Sequence, residues 1–118
     1  MLNEVPGLNS QIYLYCGHTD MRKGILGLSL LANQVIASGI SQGAWFVFRG
    51  KRADRLKILW WDGQGFCLYY KCLDKGKFTW PKTRDKGTIS ITRAQLSMLQ
   101  EGIDWRNPSW SSGPKYLA

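Results

Sequence analysis

Basic side chains that could contact phosphate groups are concentrated in the middle of this 118-residue chain. The segment 49–86 holds eleven of the sixteen lysines and arginines against four acidic residues, which gives it nearly the whole net charge of +8. Seven aromatic residues lie in the same segment. Because lysine and arginine pair with phosphates and aromatic rings stack on bases, this combination is typical of a surface that binds nucleic acid.

The candidate contacts lie in and beside the predicted hairpin turns of this segment. Four cations fall within seven residues at the first turn, and a two-stranded ribbon fits the major groove of DNA, where arginine is the usual reader of guanine. Trp61 would share an outward strand face with Arg55 and Lys57 and is the candidate for stacking. The full set of candidates is Arg49, Lys51, Arg52, Arg55, Lys57, Trp61, Lys71, Lys75 and Lys77. The alternative is a solvated basic face that has no ligand.

A second candidate surface lies at the start of the first predicted helix. Arg22 and Lys23 would occupy the first helical turn, where the amide dipoles disfavour cations. Gly24 and Gly27 would lower the helix propensity of the same stretch. Such losses of helix stability are expected where a partner approaches the helix, and the partner would be either a phosphate backbone or another protein. The structural alternative is that the two glycines allow tight packing against the sheet.

The acidic, histidine and cysteine residues form no recognisable catalytic or metal-binding pattern. Asp20 is predicted to cap a helix, and Asp62 and Asp74 to form turns, so clustered carboxylates for two-metal chemistry are not expected. His18 is the only histidine, and the two closest cysteines are five residues apart, which is not zinc-knuckle spacing. No glycine loop carries the Lys-Ser/Thr that cradles phosphate. We therefore predict a protein without catalytic residues, metal or cofactor.

Composition predicts a chain that folds without metal or disulfide support. Hydrophobic residues make up 44% of the chain and charged residues 20%, which argues against disorder. The three cysteines cannot all pair with one another, so reduced thiols packed as small apolar groups are expected. No run approaches the roughly 20 apolar residues of a membrane span, and no signal-peptide pattern is present. We predict a cytoplasmic protein with no membrane partner.

Hydrophobic periodicity predicts a single α+β domain over residues 1–118. The first helix is expected at about 20–37 with a cap at Thr19 or Asp20, and a second helix after Thr92. The strands should form a mostly antiparallel sheet, a meander of hairpins joined by a basic loop at 82–87. They are expected at 11–16, 44–48, 55–61, 66–73, 78–80 and 88–91. Residues 1–9 and 107–118 are predicted to be loosely ordered arms.

Three blocks of residues occur in a fixed order along the chain. The first block is residues 16–24 (CGHTDMRKG), continued by Gly27 and Leu28. The second joins residues 46–48 (FVF), 54–59 (DRLKIL), 61–63 (WDG), Gly65 and 76–81 (GKFTWP). The third is residues 96–106, which end in EGIDWR. Together, the three blocks resemble the TnpB accessory protein of IS66-type bacterial insertion sequences, which is unrelated to the RNA-guided nuclease of the same name.

The resemblance extends over about residues 10–108 and implies a mobile-element protein that works beside a separate, larger transposase. Cys72 departs from the pattern, because a second basic residue is expected after Lys71. With the charge pattern, the resemblance predicts a non-catalytic accessory protein of transposition that binds nucleic acid, with DNA as the favoured ligand, through a basic hairpin face. One alternative is an adaptor that docks on the transposase without recognising DNA directly, and a third hypothesis is a nuclease-like enzyme.

Overall fold

Seven regular elements lie within the part of the chain that the structure describes, and most of them follow from the hydrophobic periodicity and the turn residues between them. The computed structural model describes residues 11–36, 43–81 and 87–106. The elements are β1 (Ile12–His18), α1 (Ile25–Ile36), β2 (Trp45–Arg49), β3 (Arg55–Trp61), β4 (Phe66–Cys72), β5 (Thr88–Ile91) and α2 (Arg93–Gln100). The predicted α+β class with a mostly antiparallel sheet is confirmed. The arms predicted at 1–9 and 107–118, and residues 82–86 of the predicted basic loop, lie outside the described residues.

The sheet has the strand order β4-β3-β2-β1-β5, in which β2 is central. Three strand pairs are antiparallel, and the run from β2 to β4 is the predicted meander of hairpins. β1 and β2 pair in parallel, which the sequence pattern did not predict, and α1 supplies the crossover that a parallel pair requires. The parallel pair brings the ends of both strands to the same edge of the sheet, where His18 lies opposite Arg49.

Both faces of the sheet are covered, so the central strands are buried on both sides. Residues 45–48 of β2 are at most 3% exposed. The core on one face contains Leu28 and Ala32 of α1, and the core on the other face contains Leu96 and Leu99 of α2. The sequence predicts that the face of β3 with Arg55, Lys57 and Trp61 points outward. In the structure, α1 covers the middle of this face, where Leu59 packs with Leu28 and Ala32.

Residues 78–80 form no strand, contrary to prediction, because their side chains fill the core beneath the sheet. Phe78 and Trp80 are 3% and 8% exposed, and the Trp80 indole Nε1 donates to the Tyr15 carbonyl at 2.9 Å. Trp105 closes the same core, and its Nε1 donates to the Thr79 carbonyl at 2.9 Å. The backbone of this segment therefore crosses the face of the sheet and does not extend its edge.

α2 begins at the predicted cap. The Thr92 hydroxyl accepts from the Gln95 amide at 3.0 Å, and the Gln95 side chain accepts from the Thr92 amide at 2.8 Å, which together form a capping box. At the other end, the Lys71 Nζ donates to the Gln100 carbonyl at 2.6 Å and satisfies one of the carbonyls that a helix end leaves unpaired. No helix within the described ranges is long and apolar enough to span a bilayer.

α1 begins at Ile25, later than the predicted residue 20. The Gly24 carbonyl accepts the first helical hydrogen bond, at 2.9 Å, so Gly24 is the N-cap and not an interior residue. Upstream, the Asp20 carboxylate accepts from the Arg22 amide at 2.9 Å and from its guanidinium at 2.8 Å, which holds this stretch in a turn. Arg22 and Lys23 therefore precede the helix, and the argument that they oppose its dipole is wrong.

A buried lysine explains the late start of the helix. Lys57 lies in the middle of β3 and is 6% exposed, and its Nζ donates to the carbonyls of Met21 and Lys23, each at 2.9 Å. The ammonium group also lies 4.6 Å from the centroid of the Tyr70 ring, which is a cation–π contact. These bonds hold residues 21–23 against the sheet as a loop and keep them out of the helix.

Tyr15 fastens α1 to β1 and should make the protein sensitive to alkali. Its hydroxyl donates to the Leu31 carbonyl at 2.6 Å, and burial raises the pKa of Tyr15 from 10.0 to about 12. Since folding favours the protonated form, this stabilisation is present below pH 10 and is lost as the pH rises through about 12. We expect Tyr15→Phe to lower the melting temperature at neutral pH and to flatten its fall between pH 10 and 12 in thermal unfolding scans.

Tyr13→Phe is the matched control for this experiment. Tyr13 lies on the same strand and packs against the same core, and its hydroxyl bonds to no residue within the ranges that the structure describes. If Tyr15→Phe and the wild type lose stability in parallel as the pH rises, the Tyr15 hydroxyl does not carry the pH dependence.

Lys57→Met should destabilise the protein although it keeps most of the aliphatic length. The substitution leaves the carbonyls of Met21 and Lys23 without their donor, and we expect a loss of about 1–3 kcal/mol in the free energy of unfolding. Urea unfolding measures the loss. Arg55→Met, at an exposed position of the same strand, is the control and should cost less than about 0.5 kcal/mol. Equal stability of the two variants would show that other contacts hold the loop.

Candidate nucleic-acid interface

Three loops meet at one end of the sheet because of the order and direction of the strands. β1, β2 and β4 end there and β3 begins there, so the segments 19–24, 50–54 and 73–77 become neighbours. The Thr19 amide donates to the Arg49 carbonyl at 2.8 Å, which links the first loop (19–24) to the end of β2. The Leu73 amide donates to the Asp54 carbonyl at 2.8 Å, which links the third loop (73–77) to the hairpin turn (50–54). The topology therefore builds one surface from three separate stretches of sequence.

We call this surface the basic end. It carries eight of the twelve lysine and arginine residues that the structure describes, together with three carboxylates. The cations are Arg22, Lys23, Arg49, Lys51, Arg52, Arg55, Lys75 and Lys77, and the carboxylates are Asp20, Asp54 and Asp74. These cations come from positions between residues 22 and 77, and the fold gathers them at one end of the sheet.

Five of the candidate cations project from two adjacent loops into solvent. Lys51, Arg52 and Arg55 surround the hairpin turn, and Lys75 and Lys77 lie on the neighbouring loop after β4. All five are exposed. These side chains are positioned to meet a ligand that approaches the basic end.

Three other candidates are directed into the protein. Lys57 and Lys71 bind the backbone carbonyls that hold the first loop and the end of α2. The Arg49 guanidinium lies 5.7 Å from the centroid of the Trp80 ring and donates to the Gly50 carbonyl at 3.3 Å, and burial lowers the pKa of Arg49. These three side chains are therefore not proposed as phosphate contacts, although Arg49 lies within the basic end.

Trp61 is exposed, but it lies at the opposite end of the sheet. It is 44% exposed and meets the Phe66 ring edge-on, with the ring centroids 5.1 Å apart. Six residue steps of extended strand separate it from Arg55, which corresponds to roughly 20 Å. Trp61 is thus too distant to stack on a base whose own phosphate is held by Arg55.

A cleft of about 430 Å³ separates the first loop from the hairpin turn. Residues 18–22 form one wall, and the other wall is formed by Gly50, Lys51, Arg52, Asp54 and Arg55. Met21 packs on the core and lies against Gly50, where an added Cβ would be 2.8 Å from the Met21 Cγ. Glycine at this position therefore lets the two walls approach each other closely.

The cleft joins two surfaces that the sequence suggested separately. The Arg22 side chain is 91% exposed and pairs with Asp20 at 2.8 Å, and this hydrogen bond holds the pKa of the Asp20 carboxyl well below its usual range. Lys23 is exposed and lines a second cavity of about 280 Å³ between this loop and α1. Arg22 therefore belongs to the same site as the cations of the hairpin turn.

The two glycines of the predicted second surface do not pack tightly on the sheet. A Cβ added at Gly24 would meet nothing within 4 Å among the described atoms, and a Cβ added at Gly27 would lie 3.2 Å from the Lys23 Cβ. Neither glycine lines the cleft. Gly24 instead serves as the N-cap of α1, and Gly27 lies within the first turn of that helix.

The carboxylates and thiols outside the basic end have local roles. Asp62 accepts from the amides of Gln64 and Gly65 at 2.9 and 3.0 Å, as expected of a turn former, and these bonds lower the pKa of Asp62. Cys72 is exposed, so the prediction that all cysteines pack as apolar groups is wrong for this residue. Within residues 11–36, 43–81 and 87–106, no three histidine, cysteine, aspartate or glutamate side chains lie close enough to hold a metal ion.

Sequence reasoning selected the cations that line the cleft but missed three other residues that shape it. Met21, Gly50 and Asp54 carry no charge pattern or periodicity that marks them as a group, because they meet only through the fold. The signal that could have found the first wall was the block 16–24, in which the resemblance continues beyond β1 over residues 19–24, which belong to no strand or helix.

Comparisons with known proteins give the context of this site. A family model described as IS66 Orf2 like protein matches residues 10–110. The uncharacterized protein y4hO of Sinorhizobium fredii (strain NBRC 101917 / NGR234) is 47% identical over 102 residues, which cover 86% of this chain and 88% of the relative. The uncharacterized protein y4jC of the same strain is 36% identical over 100 residues, which cover 85% of each chain.

No solved structure matches the chain. The family match extends over all seven elements of the fold and over every residue that lines the cleft. The chain therefore belongs to the IS66 Orf2-like family, whose members are accessory proteins of IS66 transposition.

Proposed function

We propose that this protein is a non-catalytic accessory factor of insertion-sequence transposition that binds DNA through its basic end. It acts in the bacterial cytoplasm beside the transposase of the same element, which carries out the chemistry. The observation that supports the proposal most directly is the exposure of Lys51, Arg52, Arg55, Lys75 and Lys77 on two adjacent loops.

The spacing of these cations suits a phosphate backbone. The two loops lie over β2, β3 and β4, and because neighbouring strands are about 4.8 Å apart, the cations span roughly 10–15 Å. A DNA duplex carries one phosphate for about every 1.7 Å of its axis, so several of the five side chains can reach phosphates at the same time. Contacts of this kind set affinity and orientation and specify no base sequence by themselves.

Removing the cations of the hairpin turn should reduce the salt dependence of DNA binding. If Lys51, Arg52 and Arg55 each contact one phosphate, the triple alanine variant should lower the slope of log K against log salt by about 0.9 per contact, or about 3 in all. Mobility-shift or anisotropy titrations of a duplex at several salt concentrations measure the slope. Thermal unfolding should show an intact fold, because all three side chains are exposed.

Arg93→Ala is the control for this experiment, because Arg93 opens α2 at the opposite end of the sheet. It should leave the slope unchanged, whereas Lys75→Ala with Lys77→Ala should lower it by about 2 if both loops contact DNA. A slope and affinity that survive the triple substitution would reject the hairpin turn as the phosphate site.

A second candidate function is docking on the transposase, and the outer face of α1 favours it. The helix contains no charged residue. Leu26 is 80% exposed, Leu30 is 66% exposed and Ile25 is 39% exposed. Large apolar side chains that line an uncharged surface helix are typical of a protein–protein contact. This face is distinct from the basic end, so the two functions are separable by substitution.

The double variant Leu26→Ser and Leu30→Ser should lose co-purification with the transposase of the same element and keep the salt slope of DNA binding. Both positions are exposed, so the fold should tolerate the change at a helix-propensity cost of about 0.5 kcal/mol each. The hairpin triple variant is the reciprocal control. If it, and not the leucine variant, loses the transposase, the basic end is the docking surface and the α1 assignment is wrong.

A further inference from the structure

The cleft between residues 18–22 and the hairpin turn contains a carboxylate that a simple phosphate site would not have. Asp54 lines the cleft between Arg52 and Arg55, and it is half-buried. Among the residues that the structure describes, no donor is hydrogen-bonded to the Asp54 carboxylate. Because this charge repels phosphate, the cleft favours a ligand that presents hydrogen-bond donors to the Asp54 carboxylate as well as phosphates to the rim.

Arg22 supplies a flat surface on the opposite wall. The Asp20 carboxylate accepts from its Nε at 3.0 Å and from its Nη2 at 2.8 Å, which fixes the plane of the guanidinium. The side chain is nevertheless 91% exposed, so a face of this plane is open. Guanidinium planes are stacking surfaces for bases that have left a base stack. The Asp20 carboxylate of this wall is bonded to Arg22, so the cleft offers a ligand the plane of Arg22, the Asp54 carboxylate and, on its rim, three cations.

Guanine is the base that matches these groups best. Its Watson–Crick edge has neighbouring N–H donors at N1 and N2, which suit the two oxygens of one carboxylate. Adenine and cytosine present one amino group on this edge, and thymine presents one N–H between two carbonyl oxygens that a carboxylate repels. A volume of about 430 Å³ lies within the ordinary range for small-molecule sites and accommodates one nucleotide.

We infer that the cleft binds one unpaired guanine of a DNA strand. The ring stacks on Arg22, the Watson–Crick edge meets the Asp54 carboxylate, and the flanking phosphates lie on the cations of the hairpin turn. The inference rests on the proposed function, since it assigns a base to the same DNA whose backbone the basic end holds. In a duplex this edge of guanine is paired with cytosine, so the cleft recognises single strands or ends at which the strands have separated.

Anisotropy titrations with short labelled strands test the inference. The probes are an all-thymine strand, the same strand with one central guanine, and the same strand with inosine, which lacks the N2 amino group. We expect the guanine strand to bind at least about fivefold more tightly than the thymine strand, with inosine between them. Duplexes formed from the guanine and thymine strands should bind equally, because their Watson–Crick edges are occupied.

Asp54→Asn and Asp74→Asn are a matched pair of variants. Each removes one negative charge from the basic end, but only Asp54 lines the cleft. Both should raise the affinity for the thymine strand, whereas only Asp54→Asn should bring the ratio of guanine to thymine binding close to one. Arg22→Lys keeps the charge and removes the plane, so it should reduce the preference for guanine and leave the salt dependence of thymine binding unchanged. Thermal unfolding of each variant checks that the fold is intact.

The outcomes separate the inference from the proposed function. If the wild-type protein binds all the strands and has equal affinity for the guanine and thymine strands, the assignment of the cleft is wrong. The basic end would then remain a DNA-binding surface without a base-specific site. A preference for guanine that Asp54→Asn leaves unchanged would overturn the role of that carboxylate. If neither the strands nor the duplexes bind at low salt, the proposed function fails and the inference fails with it.

Discussion

A buried ammonium group organises one end of this protein. Lys57 lies inside a sheet that is covered on both faces, and a charged donor at such a depth must have acceptors close to it. The carbonyls of Met21 and Lys23 serve as these acceptors. The loop that contains them is therefore held on the sheet, α1 begins only after it, and the loop becomes one wall of the cleft. A residue whose type suggests contact with phosphate thus acts by shaping the surface on which other cations are displayed.

The parallel pairing of β1 with β2 has an effect of similar weight on the site. It places the end of β1 beside the end of β2, so the loop after β1 lies next to the turn after β2. In an antiparallel pair these two loops would lie at opposite ends of the sheet. Gly50 completes the arrangement, because the absence of a Cβ lets Met21 approach the turn. The cleft is a product of strand direction and one close backbone approach.

The cations of this protein divide into two groups that differ in depth and in what they bind. Lys57, Lys71 and Arg49 contact carbonyls or an aromatic ring of the protein and stabilise its tertiary structure. The exposed cations of the two turns have no comparable internal role, and they give the basic end its surplus of positive charge. Because the two groups are interleaved in sequence, a count of basic residues overestimates the surface that is available to a ligand.

Local chemistry determined most of the secondary structure, and for that reason the sequence by itself predicted it. The bounds of β3 and β5 and the cap at Thr92 are set by alternation and by side chains close in sequence. The start of α1 and the path of residues 78–80 were mispredicted because distant partners decide them. Lys57 decides where α1 begins, and the core that contains Leu96 and Leu99 decides the path of residues 78–80.

For the site, the sequence determined which residue types are present and that the hairpin turn is basic. It could not determine that Lys51 is exposed while Lys57 is buried, since the two residues have the same chemistry and differ only in depth. It also could not place Arg22 beside Arg52. Residue type and local conformation depend on neighbours in the chain, whereas depth and proximity depend on the order and direction of the strands, which only the tertiary structure decides.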